Sequence, residues 1–289
     1  MSLKFAAGDL TIHRIVEEEG KFLPAQDMLP ELTPELLAEN RAWMKAARAL
    51  DDSDTLILAF QSYVVKTPHH TILIDSCIGN HKPRPGRPSW NMKTDDSYLR
   101  GLASAGFSVG DIDYVMCTHL HVDHVGWNTK LAGGNWVPTF ANARYVFGKT
   151  EYEHWRDHSD DAAHAAVFAD SVKPIADAGK AELVPSDHRL TEEITLIPTP
   201  GHSPGHVSIH IKSAGEEGLL TGDVAHHPCQ MYHLDWSSTA DSDQKQSAAT
   251  RRDLFSRFAD TPTLVIGGHF DAGHIKRDGD AFRFIAPES

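Results

Sequence analysis

The sequence predicts an α/β fold in which helices cover mixed β-sheets. Two observations support this prediction. Short apolar segments typical of strands alternate along the chain with segments typical of helices. In addition, four separate apolar strands each end in a loop that carries His or Asp. The chain has 289 residues, 40% hydrophobic and 23% charged, enough for a large buried core. We expect one domain over residues 1–289.

The predicted strands are runs of apolar and β-branched residues bounded by Gly, Pro or polar turns. They are Thr11–Glu17, Leu56–Lys66, Thr71–Asp75, Asp113–Cys117, Ala143–Phe147, Glu193–Ile197, Val207–Lys212, Gly218–Thr221 and Thr263–Ile266. The predicted helices are Glu35–Leu50, Asp95–Ala105, Glu151–Trp155, Ala162–Ala178 and Ala248–Phe258. The order of these elements favours layered sheets and helices over an all-helical or all-strand fold.

Residues 22–54 interrupt the strand pattern. Three prolines lead into the predicted helix Glu35–Leu50, and an acidic turn, Asp51–Asp54, follows it. We therefore expect an N-terminal insertion, or lid, over one face of the fold.

Charge and composition exclude several classes of partner. The net charge is 27 − 40 = −13, which argues against nucleic acid and against an anionic membrane surface. We find no run of about 18 apolar residues, and the first ten residues lack the apolar core of a signal peptide. The three cysteines, Cys77, Cys117 and Cys229, are too widely spaced for a disulfide framework. A cytoplasmic protein is expected.

The segment His119-Leu120-His121-Val122-Asp123-His124 is the most informative motif of the chain. It follows the apolar run Ile112–Met116 and places four potential metal ligands within six residues. Imidazole and carboxylate groups are ligands that zinc, iron and manganese accept. The motif therefore predicts a metal site.

Three further strand ends each contribute one candidate ligand. These are His202, Asp223 and His269. One catalytic zinc takes about three protein ligands, so the seven candidates fit two metal ions that share a bridge. A carboxylate can bridge with its two oxygens, and Asp223 stands alone at its strand end, so we expect Asp223 to bridge. Two adjacent cations would produce hydroxide at neutral pH.

In these motifs and in their order, the chain resembles the metallo-β-lactamase-fold hydrolases over about Thr11–Ile285. The resemblance implies an αββα four-layer sandwich with a dinuclear metal site at one edge of the sheets. It also implies a division of the ligands between the two metals. One metal would be held by His119, His121 and His202 and the other by Asp123, His124 and His269, with Asp223 bridging.

Departures from the family pattern indicate the branch. The β-lactamases of this fold typically carry Cys at the position of Asp223, and the nuclease branch carries a further domain. Gly222–Pro228 and the long insertion most resemble the lactonase and organophosphate-hydrolase branch. Acyl-homoserine lactonases have Tyr three residues after the bridging Asp, where this chain has His226. A histidine there is closer to the organophosphate-hydrolase-like members, and it can donate a hydrogen bond.

The resemblance implies a dinuclear zinc hydrolase that uses a metal-bridging hydroxide to open a lactone or cleave a carboxylic ester. Iron, manganese or cobalt would suit the same ligands. Asp123 would pass a proton to the leaving alkoxide, and His226 would help to stabilise the oxyanion. The expected substrate is a small, neutral molecule with an apolar part. The insertion resembles dimer-contact segments of related enzymes, which favours a homodimer.

Four alternatives remain open. Two are hydrolases for other bonds, a phosphotriesterase and a thioesterase resembling glyoxalase II. The third belongs to another class, a mononuclear iron persulfide dioxygenase, because these enzymes share the fold and ligand set. The fourth is a binding protein that has lost activity.

Several other polar residues are interpreted as structural. His206 is expected to support the site without binding metal, and His274 is a weaker candidate than His269 for the last ligand position. The basic loop Asn80–Pro88 is expected to be solvated.

Overall fold

A computed structural model describes residues 4–47, 49–158 and 161–286 of the chain. These residues form two compact units. The cluster unit, named for the motif His119–His124, contains the residues up to 18 and residues 60–188. The insertion unit contains residues 19–59 and those from 189 onward. The expectation of one domain over 1–289, whose ends lie outside the described residues, stays a prediction.

The elements are numbered in chain order. The strands are β1 Lys4–Ala7, β2 Leu10–Pro24, β3 Thr55–Lys66, β4 Thr71–Ile74, β5 Tyr114–Met116, β6 Thr129–Ala132, β7 Asn135–Pro138, β8 Arg144–Gly148, β9 Ala181–Val184, β10 Ile194–Pro198, β11 Val207–Ser213, β12 Glu216–Leu220, β13 Leu264–Ile266, β14 Ala272–Asp278 and β15 Ala281–Ile285. The helices are α1 Ala25–Met28, α2 Pro34–Ala46, α3 Ser97–Ser104, α4 Lys149–Asp157, α5 Ala162–Val167, α6 Lys173–Asp177, α7 Cys229–Tyr232 and α8 Gln244–Phe258. No helix in the described ranges is long and apolar enough to cross a membrane.

The cluster unit is organised on a seven-stranded sheet of order β1-β2-β3-β4-β5-β8-β9. Strands β4, β5, β8 and β9 run parallel, and β3 is antiparallel to β4. Residues Ile72–Ile74 of β4 are buried on both faces of the sheet, as is typical of parallel strands. Helices α3 and α4 contribute Tyr98 and Trp155 to one core with Val115 and Tyr145 of the sheet.

The insertion unit contains a six-stranded sheet of order β10-β11-β12-β13-β14-β15. Only the pair β12–β13 is parallel. Helix α8 buries Leu254 and Phe255 in a core with Val265 and Phe282 of the sheet.

The predicted insertion forms a capped helix. Thr33 accepts a hydrogen bond from Leu36 N at 3.3 Å, and Pro34 occupies the first helical position, so α2 begins where the sequence favours a helix start. The helix ends at Ala46, four residues before the predicted end at Leu50.

One prediction about the cluster unit is wrong in part. His81, Pro83 and Pro85 of the loop Asn80–Pro88 are exposed, as expected of a solvated loop. Its basic residues Lys82 and Arg84 are instead buried, with 1% and 6% of their surfaces exposed. Arg84 donates two hydrogen bonds to the Asp170 carboxylate at 2.8 and 2.9 Å. The Lys82 ammonium lies 3.5 Å from the same carboxylate. A buried carboxylate distant in sequence thus pairs with both basic side chains.

The predicted helix Ala162–Ala178 is interrupted for a local reason. Its middle is a π-helical turn, Phe168–Val172, between α5 and α6. Pro174 has no amide hydrogen to donate to the carbonyl of Asp170 four residues earlier. That carbonyl instead accepts hydrogen bonds from Thr129 Oγ1 at 2.5 Å and from Lys82 Nζ at 3.3 Å.

Candidate metal centre

The carboxyl ends of β4, β5 and β8 lie at one edge of the cluster unit's sheet, because these strands are parallel neighbours. Asp75 follows β4, the motif His119–His124 follows β5, and Glu151 lies three residues after β8. Topology alone therefore brings three polar segments together at the end of a rigid sheet.

Asp75 holds the histidine loop in place. Its carboxylate accepts hydrogen bonds from Thr118 N at 2.7 Å, Thr118 Oγ1 at 2.9 Å and His124 Nδ1 at 2.9 Å. The backbone of Asp75 has φ of 57°, in the left-handed region, where Asp is better tolerated than most residues. A carboxylate on Nδ1 orients the ring and leaves Nε2 at its opposite edge, the arrangement found behind metal-binding histidines.

Glu151 holds the same loop from α4. Its buried carboxylate accepts hydrogen bonds from Leu120 N at 3.1 Å and from Trp155 Nε1 at 2.6 Å. The ring of His119 lies 4.5 Å from that of His121 and 4.0 Å from that of His124, measured between centroids. The three imidazoles are therefore held close together by the loop.

Asp123 is the most exposed of the four candidate ligands in the motif, with 14% of its side chain accessible. Its Oδ2 lies 3.9 Å from His124 Nε2. The carboxylate is therefore beside the histidines and still within reach of a small molecule.

The insertion unit presents its candidates in the same way. Strand β11 is antiparallel to both β10 and β12, and β12 is parallel to β13, so β10, β12 and β13 share one direction. His202, Asp223 and His269 each follow the carboxyl end of one of these strands.

Three histidines of this unit converge on one oxygen. Their Nε2 atoms lie 3.4 Å (His202), 3.2 Å (His226) and 3.1 Å (His269) from Asp223 Oδ2. The Nδ1 atom of His202 bonds to Asp241 Oδ1 at 2.8 Å, and that of His269 donates to Ala59 O at 2.9 Å. Because Nδ1 is engaged, Nε2 of both rings is directed at Asp223.

His206 supports Asp223 from behind. Its Nε2 accepts a hydrogen bond from Asp223 N at 2.9 Å, and its Nδ1 bonds to Thr199. An Nε2 that accepts from a backbone amide cannot bind a metal at the same time. His274 lies on β14, where its Nδ1 donates to the carbonyl of Thr263.

His226 lies inside the cluster. Its ring stacks on that of His269 at 5.5 Å and meets that of His202 at 4.8 Å. Burial lowers the pKa of His226, although the nearby Asp223 carboxylate opposes the shift. The Nδ1 atom of His226 is buried and has no hydrogen-bond partner within the described residues. The ring is therefore neutral at physiological pH and donates through Nε2.

Two glycines allow the backbone to approach these side chains. A Cβ on Gly268 would lie 2.7 Å from Asp223 Oδ1, and one on Gly201 would lie 2.4 Å from Ser247 N. Gly201 also has φ of 134°. Both positions exclude a side chain.

Sequence reasoning missed the two carboxylates that orient the histidines. Asp75 follows an apolar strand just as Asp223 does, so the same signal could have identified it. Asp241 lies in the polar stretch 239–243, which carries no such signal. Burial opposes ionisation of Asp241, but the hydrogen bond from His202 lowers its pKa, with help from the charge of Arg251.

The donor set of the insertion unit fits a divalent metal ion. In the insertion unit, Asp223, His226 and His269 offer ligand atoms within 4.8 Å of one another. Buried imidazoles turned towards a carboxylate with Nδ1 anchored, as in His202 and His269, are typical of zinc and iron sites.

Comparison with known proteins identifies the family. Residues 61–269 match the Metallo-beta-lactamase superfamily. The chain belongs to the metallo-beta-lactamase superfamily. This match confirms the fold class and the resemblance identified from the strand-end motifs, and it makes the chain a hydrolase of that superfamily.

Two curated relatives show which proteins the chain is similar to in sequence. The chain is 28% identical over 190 residues to N-acyl homoserine lactonase AiiA of Bacillus thuringiensis subsp. kurstaki, covering 62% of this chain and 68% of that protein. It is 29% identical over 148 residues to the probable metallo-hydrolase YybB of Bacillus subtilis (strain 168), covering 48% and 60%.

Two solved structures share the fold over nearly the whole chain. The hydrolase AbOPH superposes with a TM-score of 0.81 at 21% identity, covering 99% of this chain and 97% of that one. AidC, a dizinc quorum-quenching lactonase, superposes with a TM-score of 0.78 at 22% identity and the same coverage.

Proposed function

We propose that this superfamily member is a metal-dependent hydrolase that opens lactones or cleaves carboxylic esters of small, neutral substrates. The observation that carries the proposal is the convergence of His202, His226 and His269 on Asp223, with two of the rings anchored through Nδ1. The similarity to N-acyl homoserine lactonases supports the choice of bond.

The ligand assignment follows the order of the motifs. We infer one metal on His119, His121 and His202, a second on Asp123, His124 and His269, and Asp223 as the bridge. Zinc is the first choice of metal, because the donors are imidazoles and carboxylates. Two such ions, when bound, supply a hydroxide nucleophile at neutral pH and polarise the carbonyl group of the substrate.

His226 would stabilise the developing negative charge on the substrate. Its neutral ring keeps an Nε2–H that points to the same place as Nε2 of His202 and His269. With Asp223 engaged by the metal ions, this N–H would be available to the carbonyl oxygen as that oxygen becomes an oxyanion.

Asp123 would act on the leaving group. Its carboxylate lies beside His124 and is partly accessible, so it would take up the proton of the attacking hydroxyl group and pass it to the departing alkoxide. General acid catalysis of this kind contributes about 10²- to 10⁴-fold.

The test is a substrate panel on zinc-loaded protein. Purified protein is analysed for metal and assayed with N-acyl homoserine lactones and p-nitrophenyl esters, with His121→Ala as the control. We expect lactone or ester hydrolysis well above that control. Protein that carries zinc but opens neither class faster than His121→Ala would overturn the proposal.

A phosphotriesterase is the second candidate, favoured by His226 at the position where lactonases carry Tyr. Paraoxon in the same panel tests it, and a glutathione thioester tests thioesterase activity. One iron per chain, with oxygen consumed in the presence of a persulfide, would indicate a dioxygenase instead.

A further inference from the structure

Arg251 is the largest fully buried side chain of the described residues, although it carries a charge. It lies on α8, and 0% of its surface is exposed. Burying a guanidinium group is costly unless its donors are satisfied. The contacts of Arg251 therefore indicate what the charge stabilises.

The guanidinium group contacts the segment that follows the bridging carboxylate. Its Nε donates to Val224 O at 2.7 Å, one residue after Asp223. Its Nη1 donates to the carbonyls of Leu234 at 2.6 Å and Trp236 at 2.8 Å. The planar group thus fixes three points of residues 224–236 at once, which a single ammonium could not do.

A second path leads from Arg251 to His202. Nη2 lies 3.8 Å from Asp241 Oδ2, and both side chains are fully buried. The other carboxylate oxygen, Oδ1, bonds to His202 Nδ1 at 2.8 Å. Arg251 therefore lies directly behind the carboxylate group that orients the His202 ring.

A third path leads to His226. The carbonyl of Trp236, which Arg251 binds, also accepts a hydrogen bond from Gln230 Nε2 at 2.9 Å. Gln230 Oε1 in turn accepts from His226 N at 2.8 Å. Two backbone groups of the Asp223–His226 turn are therefore tied to Arg251, Val224 O directly and His226 N through Gln230 and Trp236.

We propose that Arg251 is the residue that positions the metal-site side chains of the insertion unit. It sets the orientation of His202 through Asp241 and the placement of Asp223 and His226 through the backbone. This inference rests on the proposed metal-dependent function. It assigns a role to a residue that lies 28 or more positions from every proposed ligand except His269. Its consequence is that metal affinity depends on a side chain that does not contact the metal.

The experiment measures zinc affinity by competition with a chromophoric chelator. One variant is Arg251→Lys, which keeps the positive charge but loses the planar guanidinium group and its several donors. The other is Asp241→Asn, which keeps the shape of the side chain but loses its negative charge. Arg252→Lys is the matched control, since Arg252 is the next residue on α8 and bonds only to exposed partners, Asp235 and Asp280 O. The thermal midpoint and far-UV circular dichroism of the metal-free proteins report the fold.

We expect Arg251→Lys and Asp241→Asn each to weaken zinc binding by about 10- to 100-fold, as for other residues that orient a metal ligand. Because the two residues lie on one path, their double variant should lose less than the product of the single losses. Arg252→Lys should bind zinc like the wild type. A merely structural role would lower the thermal midpoint and leave the zinc affinity of the folded protein unchanged.

Several outcomes would overturn the inference. Wild-type zinc affinity in Asp241→Asn would do so even if Arg251→Lys failed to fold, because the path to His202 passes through Asp241. Equal losses in Arg251→Lys and Arg252→Lys would also do so. Failure of the proposed function is distinguishable, since it would show as wild-type protein that binds no metal or hydrolyses no substrate.

Discussion

Asp75 and His124 are joined by a hydrogen bond of 2.9 Å between Oδ2 and Nδ1, although they lie 49 positions apart in the chain. The bond exists because β4 and β5 are parallel neighbours whose carboxyl ends coincide. It holds the buried His124 ring with Nε2 on the edge away from Asp75 before any metal arrives.

Replacing Asp75 should weaken metal binding. In Asp75→Asn the amide cannot accept from Thr118 and His124 as the carboxylate does, so we expect zinc affinity to fall by about 10- to 100-fold. Asp113→Asn is the control, since Asp113 accepts from Thr71 N at 2.8 Å at the opposite end of the same strand pair. Chelator competition measures both, and equal affinities would contradict the role of Asp75.

Replacing His226 should affect turnover and spare metal content. We expect kcat of His226→Phe to fall by about 10²- to 10³-fold, the usual loss when one oxyanion donor is removed. His226→Gln keeps a donor and should lose less. Steady-state kinetics with elemental analysis distinguishes the roles. If His226→Phe lost one zinc per chain, His226 would be a ligand and not an oxyanion donor.

Stability should depend on pH through His227. Burial lowers the pKa of His227 from 6.5 to about 4, and its ring donates from Nε2 to Ala49 O at 3.0 Å while Nδ1 accepts from Cys229 N. Between pH 6.5 and about 4 the unfolded chain binds the proton and the folded chain does not. The unfolding free energy should therefore fall as pH drops through this window, by roughly 3 kcal/mol in all.

The measurement is urea unfolding of metal-free protein at several pH values. His227→Gln keeps a donor towards Ala49 and removes the titrating ring, so its stability should change less between pH 6.5 and 4. If the unfolding free energies of the wild type and His227→Gln changed with pH in parallel, His227 would not contribute to the pH dependence of stability.

Asp170 should be essential for stability. Burial lowers the pKa of Lys82 to about 8 even with Asp170 opposing the shift, so without this carboxylate Lys82 can release its proton, whereas Arg84 cannot. Asp170→Asn should reduce the unfolding free energy by about 3–5 kcal/mol, as when one partner of a buried ion pair is removed.

Asp177→Asn provides the matched control, because Asp177 forms a solvent-exposed pair with Lys173 at 2.5 Å. Surface pairs of this kind contribute little. If chemical denaturation gave equal losses of unfolding free energy for Asp170→Asn and Asp177→Asn, the proposed stabilisation by the buried Asp170 ion pairs would be wrong.

Features that depend on neighbouring residues could be predicted from the sequence, whereas contacts between residues far apart in the chain could not. The strands before His119, Asp223 and His269 were predicted because burial leaves runs of apolar residues in the sequence. The short strands β1, β6, β7 and β9 were missed, since four residues with exposed positions carry little pattern. The loop Asn80–Pro88 was misjudged because its counter-ion, Asp170, lies about 90 positions away.

The sequence by itself determined the family, the candidate ligands and the strand ends that carry them. Residue types and their local spacing are enough to indicate which side chains can bind a metal and which segments are buried. Only the tertiary structure decided how those ligands are oriented. The Asp75 bond to His124, the Asp241 bond to His202 and the Arg251 contacts join residues far apart in the chain. Each pairing depends on which strand ends coincide, and that is a property of the folded sheets.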